Sequence, residues 1–181
     1  MPNHSLDDAE TVFRGRRYDV VAGTVRDQEG NPHRRELIVH PGAVVILPVL
    51  ADGRFVMIRN ERFATGGQLL ELPAGTLEPG EDPDNCAGRE LEEETGYRAG
   101  RIQKLTMFYT SPGICDERMY VYAAYDLVPT AQNLDAGEEI TVELVDAQQA
   151  YDWARDGAIE DGKTLATLLY FRCFTDEKDT H

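Results

Sequence analysis

The chain is short of positive charge. Eighteen Lys and Arg face 33 Asp and Glu among 181 residues, a formal net charge of −15. A surface of that sign repels DNA, RNA and anionic lipid, so neither a nucleic acid nor a membrane is an expected partner. Long apolar runs are missing too, and none approaches the ~20 residues of a membrane span. The opening residues, MPNHSLDDAETVF, lack a basic region followed by an apolar stretch, so they do not read as a secretory leader. Cysteine is sparse. Cys86, Cys115 and Cys173 are odd in number and far apart, form no CxxC pair, and argue for a reducing, cytoplasmic setting. The four histidines, His4, His33, His40 and His181, have no zinc-ligand spacing. If the substrate of so acidic a chain is itself anionic, cations must match it: bound metal or a few placed Arg.

What remains is globular in composition, 41% hydrophobic and 28% charged, and long enough for one domain with a core. Residues 1–12 are polar and read as a loosely held tail. YDVVAGTVRD and RRELIVH, joined by the turn QEGN, read as an antiparallel hairpin. GAVVILPVL is a nearly continuous apolar run and hence a buried strand. Ala51-Asp52-Gly53 turns the chain, and RFVMIRNERF is expected to pair back on that strand. LLELPAG is a short strand entering a turn-rich loop. Asp82 before Pro83 marks a helix start, and Gly96 its left-handed end. LTMFYT, RMYVYAAYDLV and ITVELVD read as strands; DAQQAYDWARDG and KTLATLLYFRCF read as amphipathic helices. Strict β/α alternation is absent, which favours an α+β sandwich on a mixed sheet over a doubly wound parallel fold. A boundary at Pro41-Gly42 separates residues 1–41, a tail and β segment, from a main domain over 42–181.

Chemistry concentrates in residues 75–97, GTLEPGEDPDNCAGRELEEETGY. Glu90, Glu93 and Glu94 are spaced to lie along one side of a helix, while Ala87 and Leu91 can face the core. Arg89 can pair with Glu93 and fix that carboxylate, leaving the others free. Like charges packed so closely destabilise a helix unless a cation sits among them. Hard divalent cations take such oxygen clusters, and Mg²⁺ commonly shares its coordination with substrate phosphates. A solvated acidic face is the plain reading of a Glu-rich stretch. Against it stands the adjoining glycine-rich loop with Glu81. The segment also fills the pattern G-x5-E-x7-R-E-U-x-E-E-x-G-U, with U bulky and apolar. Gly75, Glu81, Arg89, Glu90, Glu93, Glu94 and Gly96 take all seven fixed positions, and Leu91 the first apolar one. At about one in twenty per fixed letter, a chance match at a given start is on the order of 10⁻⁹.

That pattern is the Nudix box, and the chain resembles the Nudix hydrolases. Tyr97 departs from the aliphatic residue usual at the last position, though its ring can fill an apolar niche. LLELPAG before the box and SPGICDER after it resemble the ADP-ribose pyrophosphatase subfamily, with Pro112 fifteen residues past Tyr97. RRE, HPGAV and the ending DGKTLATLLYF are similar too. The resemblance implies a Nudix-type α/β/α sandwich with a mixed sheet plus an N-terminal antiparallel β segment. It implies Mg²⁺-dependent hydrolysis, with Mn²⁺ able to substitute, of the diphosphate linkage of ADP-ribose or a related nucleoside diphosphate sugar. The products are a nucleoside monophosphate and a sugar phosphate. Relatives with nearly the same frame hydrolyse GDP-mannose or other nucleotide sugars. Modules that sense ADP-ribose without cleaving it usually lose box glutamates, all of which this chain keeps.

The same resemblance assigns expected roles. Glu90 and Glu94 are the principal metal ligands, assisted by Glu93 and by the backbone carbonyl of Ala74. Arg89 orients these groups, and Glu81 holds the loop against the helix. Arg62 is expected at a phosphate, Arg35 and Glu36 at the adenosine part, Pro112 in the substrate loop, and Glu117 at substrate or metal-bound water. The catalytic base is expected in the loop 133–139, where alignment does not choose between Glu138 and Glu139. Glu138 is favoured, since Glu139 adjoins the next strand. Should neither serve, Glu117 and Glu93 are next. Cys115 reads as an incidental small residue and Trp153 as core. A homodimer is implied, with the strands of residues 17–40 crossing to the partner.

Overall fold

The computed structural model describes residues 5–175. His4, His181 and the first part of the expected tail lie outside the described residues. In chain order the elements are β1 (Asp7–Arg14), β2 (Asp19–Arg26), β3 (Pro32–Val39), β4 (Ala43–Pro48), β5 (Phe55–Arg62), β6 (Gly67–Glu71) and β7 (Ala74–Thr76), then α1 (Pro83–Thr95), β8 (Tyr97–Tyr109), β9 (Arg118–Pro129), β10 (Ile140–Val145), α2 (Ala147–Asp156) and α3 (Gly162–Phe174).

β4 is buried along its whole length because both of its faces are covered. Side chains alternate across a strand, so Val44 and Ile46 point one way and Ala43, Val45 and Leu47 the other. β4 lies in a four-stranded sheet of order β7-β4-β9-β8. It runs parallel to β9 and antiparallel to β7, which makes the sheet mixed. On one face α1 packs Cys86, Ala87 and Leu91 against Val44, Ile46 and Tyr122. On the other, α2, α3 and a second, antiparallel sheet of order β10-β5-β6 supply Ala150, Leu168, Phe171, Phe55 and Met57. This is the expected α/β/α sandwich, and Trp153 packs against its core as expected.

Two expectations are corrected. β5 does not pair back on β4. A single bridge, Val49 to Phe55, joins the two regions, and β5 runs between β10 and β6 in the second sheet. Two apolar runs around a tight turn suit a hairpin and two facing sheets equally well, so periodicity could not tell them apart. The polar N-terminal residues are the second case. Residues 7–14 form β1, exposed at every position and paired with β2 by its backbone ladder. A strand with no buried face carries no hydrophobic alternation to read.

The β1-β2-β3 sheet joins the main body through the loop 111–116. Ile38 donates its N–H to the Ile114 carbonyl at 2.8 Å, and the Asp116 N–H returns to the Ile38 carbonyl at 3.1 Å. Helix α1 is bounded as its sequence requires. Asp82 accepts the Asp84 N–H, Pro83 opens the first turn, and Gly96 closes the helix at φ 68°. Leu91, fully buried together with Cys86 and Ala87, is the largest of the side chains that seat α1 on the sheet. Leu91→Ala is therefore expected to cost about 2–5 kcal/mol in urea unfolding. A loss within the ~0.5 kcal/mol typical of surface changes would contradict this packing.

Candidate active site

The site is built where α1 faces the strand that precedes it. The Ala74 N–H donates to the Glu94 carboxylate at 2.9 Å, and Glu94 is only 4% exposed. The next residue, Gly75, passes so close to Glu90 that a Cβ there would lie 1.9 Å from the Glu90 carboxyl carbon. Only glycine lets the chain pass. Arg89 does more than the spacing suggested. Its Nε and Nη2 each donate to Glu81 at 2.9 Å, while Nη1 donates to Glu90 at 2.7 Å and to Glu93 at 2.9 Å. It binds three carboxylates, not Glu93 alone, because a guanidinium carries five N–H donors in a fork. Glu81 also accepts the Glu78 N–H at 2.9 Å, so the Arg89–Glu81 pair ties loop to helix.

Burial pushes the Glu90 carboxyl up to about 7, against the opposing pull of Arg89. Burial likewise pushes Glu94 up to about 8, against the Ala74 hydrogen bond and helped by the charges of Glu90 and Glu138. Glu81 goes the other way, held at about 2 chiefly by Arg89. Among the described residues no three His, Cys, Asp or Glu side chains are already set as a metal cage. The donor set nevertheless fits a divalent cation. Glu94 is buried with one N–H partner for its two oxygens, and desolvated carboxylates of this kind call for a counter-charge.

The smaller of two cavities adjoins this cluster through Ala74 and Gly75, and the larger shares Tyr109 with it. One, of about 690 Å³, is lined by Arg35, Glu36, Pro112 and Arg118. The other, of about 520 Å³, is lined by Arg62, Ala74, Gly75, Glu117 and Lys163. The fold thus brings Arg35, Glu36 and Pro112 together at one cavity and Arg62 and Glu117 at the next. Arg62 donates from Nε and Nη2 to Glu71 at 2.8 and 2.6 Å. Glu117 accepts from the Thr110 hydroxyl at 2.6 Å and lies 3.6 Å from the His40 ring.

Glu138 and Glu139 differ in their surroundings. Glu138 accepts the Asp135 N–H at 3.0 Å and is near enough to raise both Glu90 and Glu94. The Glu139 carbonyl accepts the Glu61 N–H at 3.2 Å, which fastens that residue to β5. Cys115 is buried in the wall of the first cavity, where its Sγ accepts the Glu117 N–H at 3.4 Å. Sequence reasoning missed Glu71, Tyr109, Thr110, Asp161 and Lys163. Two signals were present: a charged residue inside the apolar LLELP, and the Asp-Gly-Lys that opens α3.

Fold and site together define a class: an α+β sandwich whose carboxylate helix faces a glycine-turned loop beside two cavities. The NUDIX domain matches residues 39–168. The chain is 37% identical over 165 residues to the ADP-ribose pyrophosphatase of Bacillus subtilis strain 168, covering 90% of this chain and 89% of that protein. It is 34% identical over 179 residues to the GDP-mannose pyrophosphatase of Enterobacter sp. strain 638, covering 92% and 91%. The crystal structure of an ADP compounds hydrolase superposes with a TM-score of 0.82 at 25% identity, covering 93% of this chain and 91% of the other. The chain belongs to the Nudix family of hydrolases, which in general need a divalent metal. Among the described residues no helix is long and apolar enough to cross a membrane.

The raised carboxyls give a pH prediction. Unfolded, Glu90 and Glu94 ionise near the ordinary 4.5; folded and without metal, they hold their protons to about 7 and 8. The folded state then binds more protons across that window, so its stability falls as pH rises through it. In excess chelator the thermal midpoint should drop between pH 5 and pH 8, and Glu94→Gln should flatten part of the drop. A wild-type midpoint that holds level, or rises, over that range would contradict these surroundings.

Proposed function

We propose that the chain hydrolyses the diphosphate linkage of ADP-ribose or a related nucleoside diphosphate sugar, with Mg²⁺ as its working cation and Mn²⁺ able to replace it. The observation that carries this reading is the meeting of two cavities at Tyr109, one lined by Arg35 and Glu36, the other by Arg62 and the box loop. A nucleoside fits the first and a diphosphate the second. Glu90 and Glu94 would hold the metal, with Glu93 and the Ala74 carbonyl completing the set. A cation bound there supplies charge neutralisation of the diphosphate and acidifies water.

The remaining work falls to the chain's own groups. Arg35, Glu36 and Pro112 hold the nucleoside. Arg62 binds a phosphate oxygen, and Glu117, steadied by Thr110, orients substrate or water. Arg89 and Glu81 hold helix and loop in register. Glu138, on a loop hinged at Gly137 with φ 92°, accepts a proton from the attacking water. The water oxygen bonds to phosphorus as the anhydride P–O bond breaks, giving a nucleoside monophosphate and a sugar phosphate. The Enterobacter relative favours GDP-mannose as a second reading. Retention of every box glutamate argues against a sensor that binds without cleaving.

Residues 1–41 form the N-terminal unit and 42–181 the catalytic one. The chain works as a homodimer, a reading supported by a β1 exposed at every residue and by half-exposed Val12 and Phe13 upon it. Its three cysteines are unpaired, which supports a reducing cytoplasm.

Excess chelator should abolish ADP-ribose turnover, and Glu90→Gln or Glu94→Gln should each lower the rate at least about a hundredfold. Full activity in chelator would refute the metal's role. Glu138→Gln should lower kcat by ~10²–10⁴ with little change in KM, and Glu139→Gln should stay near wild type. The reverse order would move the base to Glu139; two active variants would remove it from this loop. Light scattering at micromolar concentration should give a dimer, and an active monomer would contradict it.

A further inference from the structure

We infer that Gln132 is a positioning residue for the catalytic base: its carboxamide fastens the loop that carries Glu138 to the end of the metal-binding helix. The inference rests on the hydrolase reading above, with its base in the loop 133–139, and adds the residue that sets where that base stands.

A helix leaves its last carbonyls without partners inside the helix. In α1 these belong to the turn that carries Glu93 and Glu94, and one stretch of chain, 130–133, comes back to meet them. The Gln132 Nε2 group donates to the Glu94 carbonyl at 2.6 Å. The Asn133 N–H donates to the Glu93 carbonyl at 3.0 Å, and the Thr130 N–H to the Gly96 carbonyl at 2.6 Å. The approach is close, since a Cβ on Gly96 would lie 3.1 Å from the Gln132 backbone nitrogen. Glu94 is therefore held at both ends. Its carboxylate takes the Ala74 N–H, and its carbonyl takes the Gln132 amide. One residue links the metal set to the loop of the base.

Residues 135–138 form a turn closed twice. The Glu138 N–H donates to the Asp135 carbonyl at 3.0 Å, and the Asp135 N–H to the Glu138 carboxylate at 3.0 Å. A turn closed on itself moves as one piece, so the ends of the loop decide where its carboxylate lies. At the far end the Glu139 carbonyl accepts the Glu61 N–H at 3.2 Å. At the near end stand Asn133 and Gln132. Asn133 and Glu139 anchor through backbone groups, which most side chains would leave intact. Gln132 anchors through its side chain, so this anchor depends on the residue type. Water can satisfy a carbonyl at a helix end. What a side-chain donor adds is a fixed distance between that carbonyl and the loop.

The test compares wild type, Gln132→Met, Gln132→Glu, Glu138→Gln and the double variant Gln132→Met with Glu138→Gln. It measures kinetics on ADP-ribose and GDP-mannose, the Mg²⁺ concentration for half activation, and thermal midpoints. Gln132→Met should lower kcat about fivefold or more, the size of one lost hydrogen bond. Its KM and half-activating Mg²⁺ should stay within about twofold of wild type. Gln132→Glu keeps the length but loses the donor, and should fall at least as far. In the Glu138→Gln background the effect of Gln132→Met on kcat should shrink below about twofold, because residues that act as a unit are not additive. A helix cap with no part in placing the base would lower the thermal midpoint and leave kcat unmoved. Wild-type kcat in the Gln132 variants, an effect that multiplies undiminished in the double variant, or a shift in Mg²⁺ activation in place of kcat would overturn the inference. If Gln132→Met does not fold, Gln132→Glu takes its place in the cycle. If Glu138→Gln turns over at the wild-type rate, Glu138 is not the base and the inference ends there, with hydrolysis intact. If wild type cleaves neither nucleotide sugar, the hydrolase reading itself falls and takes the inference with it.

Discussion

The hydrogen bond from the Ala74 N–H to the Glu94 carboxylate is the contact on which the site depends. It fixes the last turns of α1 against the start of β7, and so fixes where every other box residue can stand. Glu90, one helical turn earlier, then falls against Gly75 at a distance that excludes any side chain. Arg89, next to it in the chain, gathers Glu81, Glu90 and Glu93. The spacing of the motif records this geometry: a glycine where the strand must pass, an acid where the loop must be tied, and carboxylates where the helix meets the strand.

An acidic chain that handles an anionic substrate must ration its cations by position. Of the 18 basic residues, four line the two cavities. Those at the cavity walls, Arg35, Arg62, Arg118 and Lys163, come from strands or helix ends set by the core. Arg62 and Lys163 share one buried carboxylate, which spares them the rotameric search of surface lysines. The burial that raises Glu90 and Glu94 is the counterpart of this arrangement: negative charge concentrated in a dry place, stable once a cation joins it.

Much of this was legible in the sequence, for physical reasons. The α1 boundaries could be read because Asp82, Pro83 and Gly96 each have a conformational reason to be where they are. The buried strand β4 could be read because a strand covered on both faces must be apolar throughout. β1 could not, since it buries nothing. The partner of β5 could not either, because apolar content reports burial and not which neighbour provides it. Arg89 showed its charge but not its reach: spacing gave Glu93, while the contacts to Glu81 and Glu90 depend on how the loop and the guanidinium fork are turned. Glu71 and Lys163 are 92 residues apart, and no local pattern joins them. The influence of Glu138 on Glu90 and Glu94 is of the same kind, since more than 40 residues of chain separate it from them.

The central claim is that this carboxylate helix serves hydrolysis of a nucleotide diphosphate. Its most direct test is product analysis in ¹⁸O-water with Mg²⁺, offering ADP-ribose and GDP-mannose side by side to the full-length protein. The account predicts equimolar AMP and ribose 5-phosphate from ADP-ribose, with one ¹⁸O in the phosphate of a single product. Binding of both nucleotide sugars without turnover, or cleavage without label in either phosphate, would contradict it.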